Sequence, residues 1–531
     1  MSDKVQPIYI MPEGTQRSMG REAQRNNIMA AKLVAETVRT TLGPKGMDKM
    51  IVDSLGDVII TNDGVTILNE MNIAHPGAKM VVEVAKTQED EVGDGTTTAV
   101  VLAGELLKNA EELLDKHIHP TVITKGYQIA AGKALDLLKN LAEPVDYLHH
   151  DTLLKIAITA MTGKGPERYK EKLAKIVVES VLKTQDLDPK NIRLEKKVGA
   201  SVDESSLING LLIDKERVHS NMPERVENAK VLLLNFSLEP RSTETDAKIQ
   251  ISDPAQMQAF LDQEEKMMRD MMQKIIASNA NVLFCQKGID DYVQHLLSKN
   301  KIYACRRVKK SDMEHLAKAT GARILSTLED ISSDDIGSAG LIYQEKFGDE
   351  EITVVKDCKH SKVMTILIRG GTEHVVDEVK RALDDSVGDV ISALKYKFVV
   401  GGAGSIEMEL ASGLRSFAQT LSGREQLAVE AFAKAFEVIP RTLAENAGLD
   451  PIDIVAELKS LHDANNKWAG INVYTGKAMD SFKEGVIEPI KIKSQAIQSA
   501  SELAVMILRI DDVIAGGKES PDKNQNMPEG M

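Results

Sequence analysis

The order of sequence patterns along the chain limits its fold more than any other feature. The first and last thirds carry apolar residues at helical spacings of three and four, whereas strand-like runs alternate with helices in the middle. A chain of 531 residues exceeds what one hydrophobic core normally organises, so several domains are expected. The helical, α/β, helical order predicts domains inserted into one another, with the two ends forming one body.

Individual elements follow from apolar periodicity and from glycine or proline breaks. The helices predicted near the N-terminus cover residues 23–42, 76–90 and 99–107. A hairpin is predicted from residues 50–52 and 57–61, and residues 5–10 read as an edge strand. The strands predicted for the middle of the chain cover residues 192–198, 210–213, 231–236, 282–285, 302–305, 323–325 and 363–368. Residues 404–515 are again mostly helical.

One polar stretch, residues 243–266, interrupts the α/β region, and methionines follow it at helical spacing (Met267, Met268, Met271 and Met272). Such a stripe usually fills a core. The alternative is a protruding, adaptable binding element. The last residues, 516–531, contain Gly, Pro and Asn and are predicted to be a disordered tail.

Composition excludes several classes of protein. The formal net charge of −14 argues against a general nucleic-acid surface, and aromatic residues, at 4%, are too few for base-stacking platforms. The three cysteines form no CxxC pair and are odd in number, so they predict reduced thiols rather than a disulfide framework. No apolar run reaches transmembrane length, and the N-terminal residues lack the pattern of a signal peptide. We therefore expect a cytoplasmic protein.

Residues 92–98, VGDGTTT, lie between two predicted helices. Two glycines bracket Asp94, so the stretch predicts a tight turn that feeds a helix N-terminus. Such a terminus presents unpaired N–H groups and the positive end of a dipole, which suit phosphate. A carboxylate beside phosphate is reasonable if a hard cation such as Mg²⁺ lies between them. A glycine turn with a threonine N-cap explains the same pattern, and the local sequence leaves both interpretations open.

A second aspartate, Asp63, lies in the turn NDG. Phosphoryl transfer to water needs a metal, donors on the phosphates and an acid that orients or deprotonates water. Asp94 and its threonines suit the first two roles, and Asp63 suits the third. Turn-forming Asx residues are the simpler alternative. The motifs GxxxxGK[ST], GxGxxG, HExxH and GxSxG do not occur, which argues against a P-loop enzyme, a zinc enzyme and a serine hydrolase.

Several longer motifs then resemble one family. TLGPKGMDKM (residues 41–50), TNDG (61–64) and GDGTTT (93–98) look like group II chaperonins, and more like archaeal thermosome subunits than like the eukaryotic cytosolic ones. The likeness continues in RVENAKVLLLN (225–235), FCQKGIDD (284–291) and IRGGTEHVVDEVKRAL (368–383). It ends with EGVIEPIKIKSQAIQSASE (484–502) and ILRIDDVIA (507–515), so it covers the chain up to the tail.

The resemblance implies a multidomain α/β and α fold with three kinds of domain. A mostly helical equatorial ATPase domain would comprise residues 1–146 and 404–515, and a small α/β intermediate hinge domain residues 147–215 and 369–403. Residues 216–368 would form an apical α/β domain, with a helical protrusion at about 243–266 that serves as a built-in lid. Subunits of the family form two stacked rings around a cavity for unfolded protein.

The resemblance also implies a composite site for ATP and Mg²⁺. In the family pattern, Asp94 is the Mg²⁺ ligand, and Asp63 and Asp385 act on the attacking water. The residues that would bind the nucleotide are Leu42, Gly43, Gly95, Thr96, Thr97, Thr98, Gly163, Lys164, Gly402, Ala403, Glu488 and Lys493. Asp385 belongs to the intermediate domain, so it would reach the site only on hinge closure.

The function implied is an ATP-dependent chaperone subunit that binds unfolded protein and encloses it by closing the lid. Its partners would be client proteins and identical or paralogous subunits, with no nucleic acid and no membrane. The chain departs from the family at Ala403, where a glycine is usual, and in lacking Gly-Gly-Met repeats at its end. These departures leave an alternative, a specialised paralogue in a mixed ring with little ATPase activity of its own. A small-molecule phosphotransferase is disfavoured, because it gives the polar stretch no role.

Overall fold

A computed structural model describes residues 16–52, 56, 58–165, 167–184, 187–240, 254–329, 331–347, 350–358 and 363–515. The chain divides into two compact units. Unit 1 consists of the described parts of Met1–Pro144 and Phe398–Met531, and unit 2 of those of Val145–Lys397. The predicted edge strand (5–10), the first part of the polar stretch (243–253) and the predicted tail (516–531) lie outside the described residues.

Helices account for most of unit 1 and pack on the sheets of unit 2. In chain order they are α1 (Gly20–Arg39), α2 (Gly64–Glu70), α3 (Pro76–Val92), α4 (Thr96–Asp115), α5 (Pro120–Leu141), α6 (His150–Met161), α7 (Lys170–Thr184), α8 (Pro254–Ala277), α9 (Asp291–Lys299), α10 (Lys310–Thr320), α11 (Glu373–Tyr396), α12 (Ser405–Ala418), α13 (Arg424–Phe436), α14 (Val438–Asn446), α15 (Pro451–Asp463) and α16 (Ile490–Leu508).

The strands are short in unit 1 and longer in unit 2. In chain order they are β1 (Gln16–Met19), β2 (Lys49–Val52), β3 (Val58–Thr61), β4 (Glu143–Pro144), β5 (Ile192–Val198), β6 (Ser206–Ile208), β7 (Gly210–Ile213), β8 (Arg225–Leu234), β9 (Val282–Cys285), β10 (Tyr303–Cys305), β11 (Ile324–Leu325), β12 (Gly337–Phe347), β13 (Glu350–Lys356), β14 (Met364–Gly370), β15 (Phe398–Gly401), β16 (Ala469–Asn472), β17 (Lys477–Asp480), β18 (Ile487–Pro489) and β19 (Asp512–Ala515).

Helix α4 is the centre of unit 1, because it is apolar around most of its circumference and is buried accordingly. At Gly104 an added Cβ would lie 2.4 Å from the Cβ of Ala35, so the glycine allows α1 to pack closely on α4. The C-terminal segment completes the same core. The ring of Tyr127, for example, meets Phe432 edge-on at 5.3 Å, and its hydroxyl donates to the carbonyl of Leu106.

Small sheets connect the two chain segments of unit 1. β1 pairs antiparallel with β19, and Arg17 forms an ion pair of 2.5 Å with Asp512 across this pair. β15 lies between β18 and β4, antiparallel to both. These pairings place residues 398–401 in unit 1 with the helices that follow them. The predicted union of the first and last thirds in one body is therefore confirmed.

Unit 2 contains two sheets. The larger has the order β10-β9-β8-β12-β13-β7, with β11 beside β8; β10, β9 and β8 are parallel, and β12, β13 and β7 are antiparallel to their neighbours. The smaller has the order β5-β14-β6, and helices α7 and α11 pack on it. The α/β character predicted for the middle of the chain is confirmed.

Helix α8 contains the methionine stripe. Met268 and Met272 are buried in the core beneath α8, with Met271 partly buried beside them, which confirms the core-filling interpretation for these side chains. Before the stripe, the side chains described as exposed are those of residues 258, 261–263 and 266, and Leu261 is half exposed. The described part of the polar stretch is therefore the N-terminal portion of a long helix.

Most predicted elements exist, but their ends differ. Helix α1 ends at Arg39 rather than at residue 42, because Thr40 to Gly43 form a turn. Helix α4 starts at Thr96 and continues to Asp115, beyond the predicted residues 99–107. The long antiparallel pair β12–β13 was not predicted. Among the described helices, none is long and apolar enough to cross a membrane.

Candidate functional site

The predicted turn at residues 93–98 connects α3 to α4. Gly93 ends α3 with φ +89°, and Gly95 is the N-cap of α4 with φ +79°, conformations that favour glycine. An added Cβ on Gly95 would lie 2.6 Å from Cγ2 of Ile492. The buried side chain of Gln88 donates to the carbonyls of Asp94 (2.9 Å) and Ile492 (3.3 Å), so α16 and α3 fix the turn.

The N-terminus of α4 has no side-chain cap. The first N–H groups of a helix have no partners inside the helix. Gly95 has no side chain, so it cannot provide a hydrogen-bond acceptor for them. The Asp94 carboxylate accepts the N–H of Gly95, at 2.7 Å. The threonine N-cap, one of the two interpretations left open, is not observed: Gly95 is the N-cap, Thr96 is the first residue of α4, and its hydroxyl donates to Asp63. The uncapped terminus favours binding of an anion.

Asp63 lies beside this turn, in the connection between β3 and α2. It is the N-cap of α2 and accepts from the backbone N–H (3.0 Å) and the hydroxyl (2.6 Å) of Thr66. It also accepts from Oγ1 of Thr96, at 3.4 Å. An added Cβ on Gly64 would lie 2.6 Å from Oγ1 of Thr97, so the NDG turn packs directly on the threonines. Asp63 therefore forms a turn, as the simpler interpretation predicts. It also lies beside the turn at residues 93–98.

Leu42 and Gly43 lie in the turn that follows α1. Gly43 has φ +81°, and an added Cβ would lie 2.2 Å from Cδ2 of Leu443. The carbonyl of Leu42 accepts from Nδ2 of Asn446, at 2.9 Å. This turn is therefore fixed against α14, on the C-terminal segment of unit 1.

The glycine run at residues 402–404 connects β15 to α12. An added Cβ on Gly402 would lie 2.4 Å from Oε1 of Glu488, so the Glu488 carboxyl lies directly on the glycine backbone. Ala403 has φ +56°, a left-handed conformation that costs a non-glycine residue about 1–2 kcal/mol. The chain therefore adopts at Ala403 a backbone angle that glycine adopts more easily. The Ala403 carbonyl accepts from the N–H of Ile471, at 3.0 Å.

A buried ion cluster lies beside this run. Nζ of Lys493 is 2.7 Å from Glu488 and 2.9 Å from Glu407. Burial raises the pKa of the Glu488 carboxyl; Lys493 opposes this rise, and the carboxylates of Glu407 and Asp94 add to it. Burial alone lowers the pKa of Lys493, but the two glutamates outweigh burial and raise it. Lys493 therefore stays charged between two carboxylates.

Sequence reasoning missed Glu407. The chain has 80 Asp and Glu residues, and nothing local distinguishes this one. Its only sequence signal is its position three residues after Gly404, in the first turn of a helix, where a carboxylate is favoured by the helix dipole.

The remaining predicted residues lie in unit 2. Gly163 follows α6 with φ +83°, and the ammonium of Lys164 pairs with the carboxylate of Asp385 on α11. Both side chains are mostly buried. The structure thus brings Lys164 and Asp385 together, and in unit 1 it brings Asp63 together with the threonines and Gly402 with Glu488 and Lys493.

The donor set of unit 1 fits magnesium bound through phosphate. Among the described residues, no group of three or more His, Cys, Asp or Glu side chains could hold a metal ion alone. Mg²⁺ typically takes one or two carboxylates and completes its shell with phosphate oxygens and water. Asp94, beside an uncapped helix terminus, is the carboxylate that such an arrangement needs.

The sequence is also similar to known proteins. Residues 34–518 match the model of the TCP-1/cpn60 chaperonin family. The chain belongs to that family. It is 57% identical over 518 residues to thermosome subunit beta of Methanothermobacter thermautotrophicus, covering 97% of this chain and 96% of the relative. It is 58% identical over 515 residues to the thermosome subunit of Methanopyrus kandleri, covering 96% and 94%.

A solved structure is also similar. It is the open-state monomer of a group II chaperonin from Methanococcoides burtonii, with 49% identity and a TM-score of 0.60, and the match covers 79% of this chain and all of that one. The resemblance to archaeal group II chaperonins is therefore confirmed, as is the multidomain α/β and α fold. The protein is a chaperonin subunit.

Proposed function

We propose that this chaperonin subunit hydrolyses ATP with Mg²⁺ and uses the reaction to enclose unfolded protein for folding. The observation that carries the proposal is the start of α4, a helix N-terminus without a side-chain cap. It follows a turn in which two left-handed glycines flank Asp94, and Asp63 lies beside it. Phosphate binding, metal binding and water activation need these groups together.

Each residue of unit 1 has a role in this proposal. The backbone N–H groups and hydroxyls of residues 95–98 bind the phosphates, and Asp94 is the Mg²⁺ ligand. A bound Mg²⁺ would neutralise the charge that develops on the phosphate oxygens. Asp63 orients the attacking water, because its carboxylate is held rigidly by the N–H and hydroxyl of Thr66. The residues that would bind the nucleoside end are Gly402, Ala403, Glu488 and Lys493. Leu42 and Gly43 would also line the nucleotide.

Unit 2 supplies the second acid. We assign Asp385 to deprotonation of the attacking water and Gly163 with Lys164 to a contact from the hinge side. The chain crosses between the units twice, at 144/145 and at 397/398, and each unit has its own core. Two crossing points suit a hinge, so the proposal includes hydrolysis coupled to closure.

The domain roles follow the same reasoning. The unit boundaries move the ends of the hinge from the expected residues 147 and 403 to 145 and 397. Residues 1–144 and 398–515 act as the equatorial ATPase domain, residues 145–215 and 369–397 as the hinge, and residues 216–368 as the client-binding domain. The exposed start of α8 supports a lid element within residues 243–266, because its described side chains are mostly in contact with solvent. Unfolded client proteins are the proposed substrates, and the cytoplasm is the proposed location.

Subunit pairing is supported by two isolated two-stranded sheets. The hairpin β2–β3 exposes Met50 (67%), Val52 (60%) and Ile60 (44%). Among the described residues, no third strand pairs with β1–β19. A two-stranded sheet is marginally stable alone. We propose that these sheets contact neighbouring subunits, identical or paralogous, in a stacked double ring.

A variant of Asp94 tests the proposal. Asp94→Ala removes the metal ligand, so MgATP binding should weaken at least about tenfold, the scale of one lost charged contact. The matched control is Asp90→Ala, which removes the same charge from an exposed position on α3. MgATP affinity by calorimetry and phosphate release would be measured on both variants. Equal affinity in the two variants would refute the role of Asp94.

The second candidate function is a ring-assembly or client-binding paralogue with little ATPase activity. The left-handed φ of Ala403 favours it, because a non-glycine residue strains the run beside Glu488. Electron microscopy and ATPase assay of the protein expressed alone separate the two candidates. A ring-sized particle that hydrolyses ATP supports the folding machine, and a monomer without turnover supports the paralogue.

A further inference from the structure

We infer that Glu407 is a positioning residue for nucleotide binding: it fixes Lys493, and through Lys493 it holds Glu488 against Gly402. The inference rests on the proposed function, because it concerns the nucleoside end of the same site. The atoms nearest to an added Cβ on Gly402 belong to Glu488 and Val486, and Glu407 pairs with Lys493, so Glu407 acts through the lysine.

The three charged side chains come from three different elements. Glu407 lies in the first turn of α12, Glu488 in β18 and Lys493 in α16. The Lys493 ammonium lies between the two carboxylates, at 2.9 Å and 2.7 Å. It therefore joins α12 to the β18–α16 segment, and its position depends on both acids.

The surroundings leave Lys493 few alternatives. The side chains of Glu407 and Lys493 are 4% and 8% exposed, so water does not replace a lost partner easily. Together with Thr98, they line a cavity of only about 10 Å³. That volume holds at most about one water molecule, so the ammonium cannot move there to find another acceptor.

Loss of the Glu407 carboxylate then changes Glu488. Without Glu407, Lys493 loses its link to α12, while its contact with Glu488 is already as short as such pairs become, at 2.7 Å. The Lys493–Glu488 pair then has no fixed anchor, and the Glu488 carboxyl is no longer held at its position on Gly402. An added Cβ on Gly402 would lie within 2.4 Å of Oε1, so this position is tightly defined in the present structure. A nucleotide that contacts Glu488 would then lose a partner with a fixed position. The acids proposed to act on water, Asp63 and Asp385, would stay in place.

The cavity that Glu407 and Lys493 share with Thr98 extends the effect of losing Glu407 to the proposed phosphate site. Thr98 lies in the first turn of α4, the proposed phosphate cradle, and Glu407 and Lys493 line the same cavity from the nucleoside side. Glu407 therefore lies between the two halves of the nucleotide site in unit 1. We expect its loss to change ATP affinity rather than the rate of the chemical step.

The test uses steady-state ATP turnover by the assembled full-length protein. Glu407→Gln should raise KM for ATP roughly tenfold, equal to about 1.4 kcal/mol, and leave kcat within about twofold. The matched control is Glu105→Gln: Glu105 is a glutamate on α4 whose side chain is 5% exposed and pairs with Lys108 at 3.1 Å. The control should leave KM within about twofold.

A double variant separates positioning from general destabilisation. If Glu407 acts through Glu488, Glu407→Gln added to Glu488→Gln should raise KM no further than Glu488→Gln alone. Multiplied effects, or an unchanged KM in Glu407→Gln, would overturn the inference. If Glu407→Gln does not fold, Glu407→Asp keeps the charge but shortens the reach, and KM should still rise, by a smaller factor; an unchanged KM there also overturns it. Absence of ATP turnover in the unsubstituted protein would instead contradict the proposed function.

Discussion

Substitution of Gly95 tests the geometry of the phosphate turn. Gly95→Ala places a methyl group 2.6 Å from Cγ2 of the buried Ile492 and 3.2 Å from Nε2 of Gln88, at a φ of +79°. The left-handed conformation costs about 1–2 kcal/mol and the overpacking about 1–3 kcal/mol. The lower entropy of the unfolded chain returns about 0.4–1 kcal/mol. We therefore expect a net loss of about 2–4 kcal/mol.

The assay is thermal unfolding by calorimetry, on particles of equal size by gel filtration. A loss of this magnitude corresponds to a fall in Tm of roughly 5–10 °C in a body the size of unit 1. The matched control is Gly132→Ala, a helical position in α5 where an added Cβ meets nothing within 4 Å. It should raise Tm slightly, because alanine favours a helix by about 0.5–1 kcal/mol over glycine. If Gly95→Ala unfolds at or above the Tm of Gly132→Ala, the close packing of the turn is refuted.

Three further predictions concern assembly, strain and thiol chemistry. Ile60→Lys should prevent ring formation on gel filtration, whereas Ile276→Lys, equally exposed at 45% on α8, should not; intact rings in both would contradict the pairing role of the hairpin. Ala403→Gly should raise Tm by roughly 1–2 °C, because relief of about 1–2 kcal/mol exceeds the added unfolded entropy; a fall in Tm would show that Ala403 is not strained. Burial raises the pKa of Cys285 to about 11, so a thiol reagent should label the native protein slowly at pH 8 and faster only as pH approaches 11, while unfolded chain labels at once. Rapid labelling of native Cys285 at pH 8 would contradict its burial.

The sequence predicted the parts of the fold that depend on local pattern. The turn between α3 and α4 was readable because glycines bracket an acid, and the helices of unit 1 because their apolar residues recur at helical spacing. The pair β12–β13 was not readable, because the middle of β13 is buried on both faces and does not alternate. The other neighbours of these two strands, β8 and β7, lie far from them in the chain.

The site was predicted in part for the same reason. Asp63 and Asp94 stand on recognisable glycine turns, whereas Asp385 entered only through the family resemblance. The contact between Asp63 and Thr96 joins positions that no local rule connects. Glu407 was invisible, because its importance comes from burial beside Lys493. Local chemistry identifies candidate groups, and only the packing of distant segments selects among them.

We propose that the turn and helix start at residues 93–98 of unit 1 bind ATP but need Asp385 for hydrolysis. Asp385→Ala tests it most directly, with MgATP affinity and single-turnover phosphate release measured on the same preparation. We expect MgATP affinity within about threefold of the unsubstituted protein and hydrolysis slower by at least about 100-fold, the usual contribution of a positioned acid or base. Hydrolysis at the normal rate in this variant would contradict the role of Asp385.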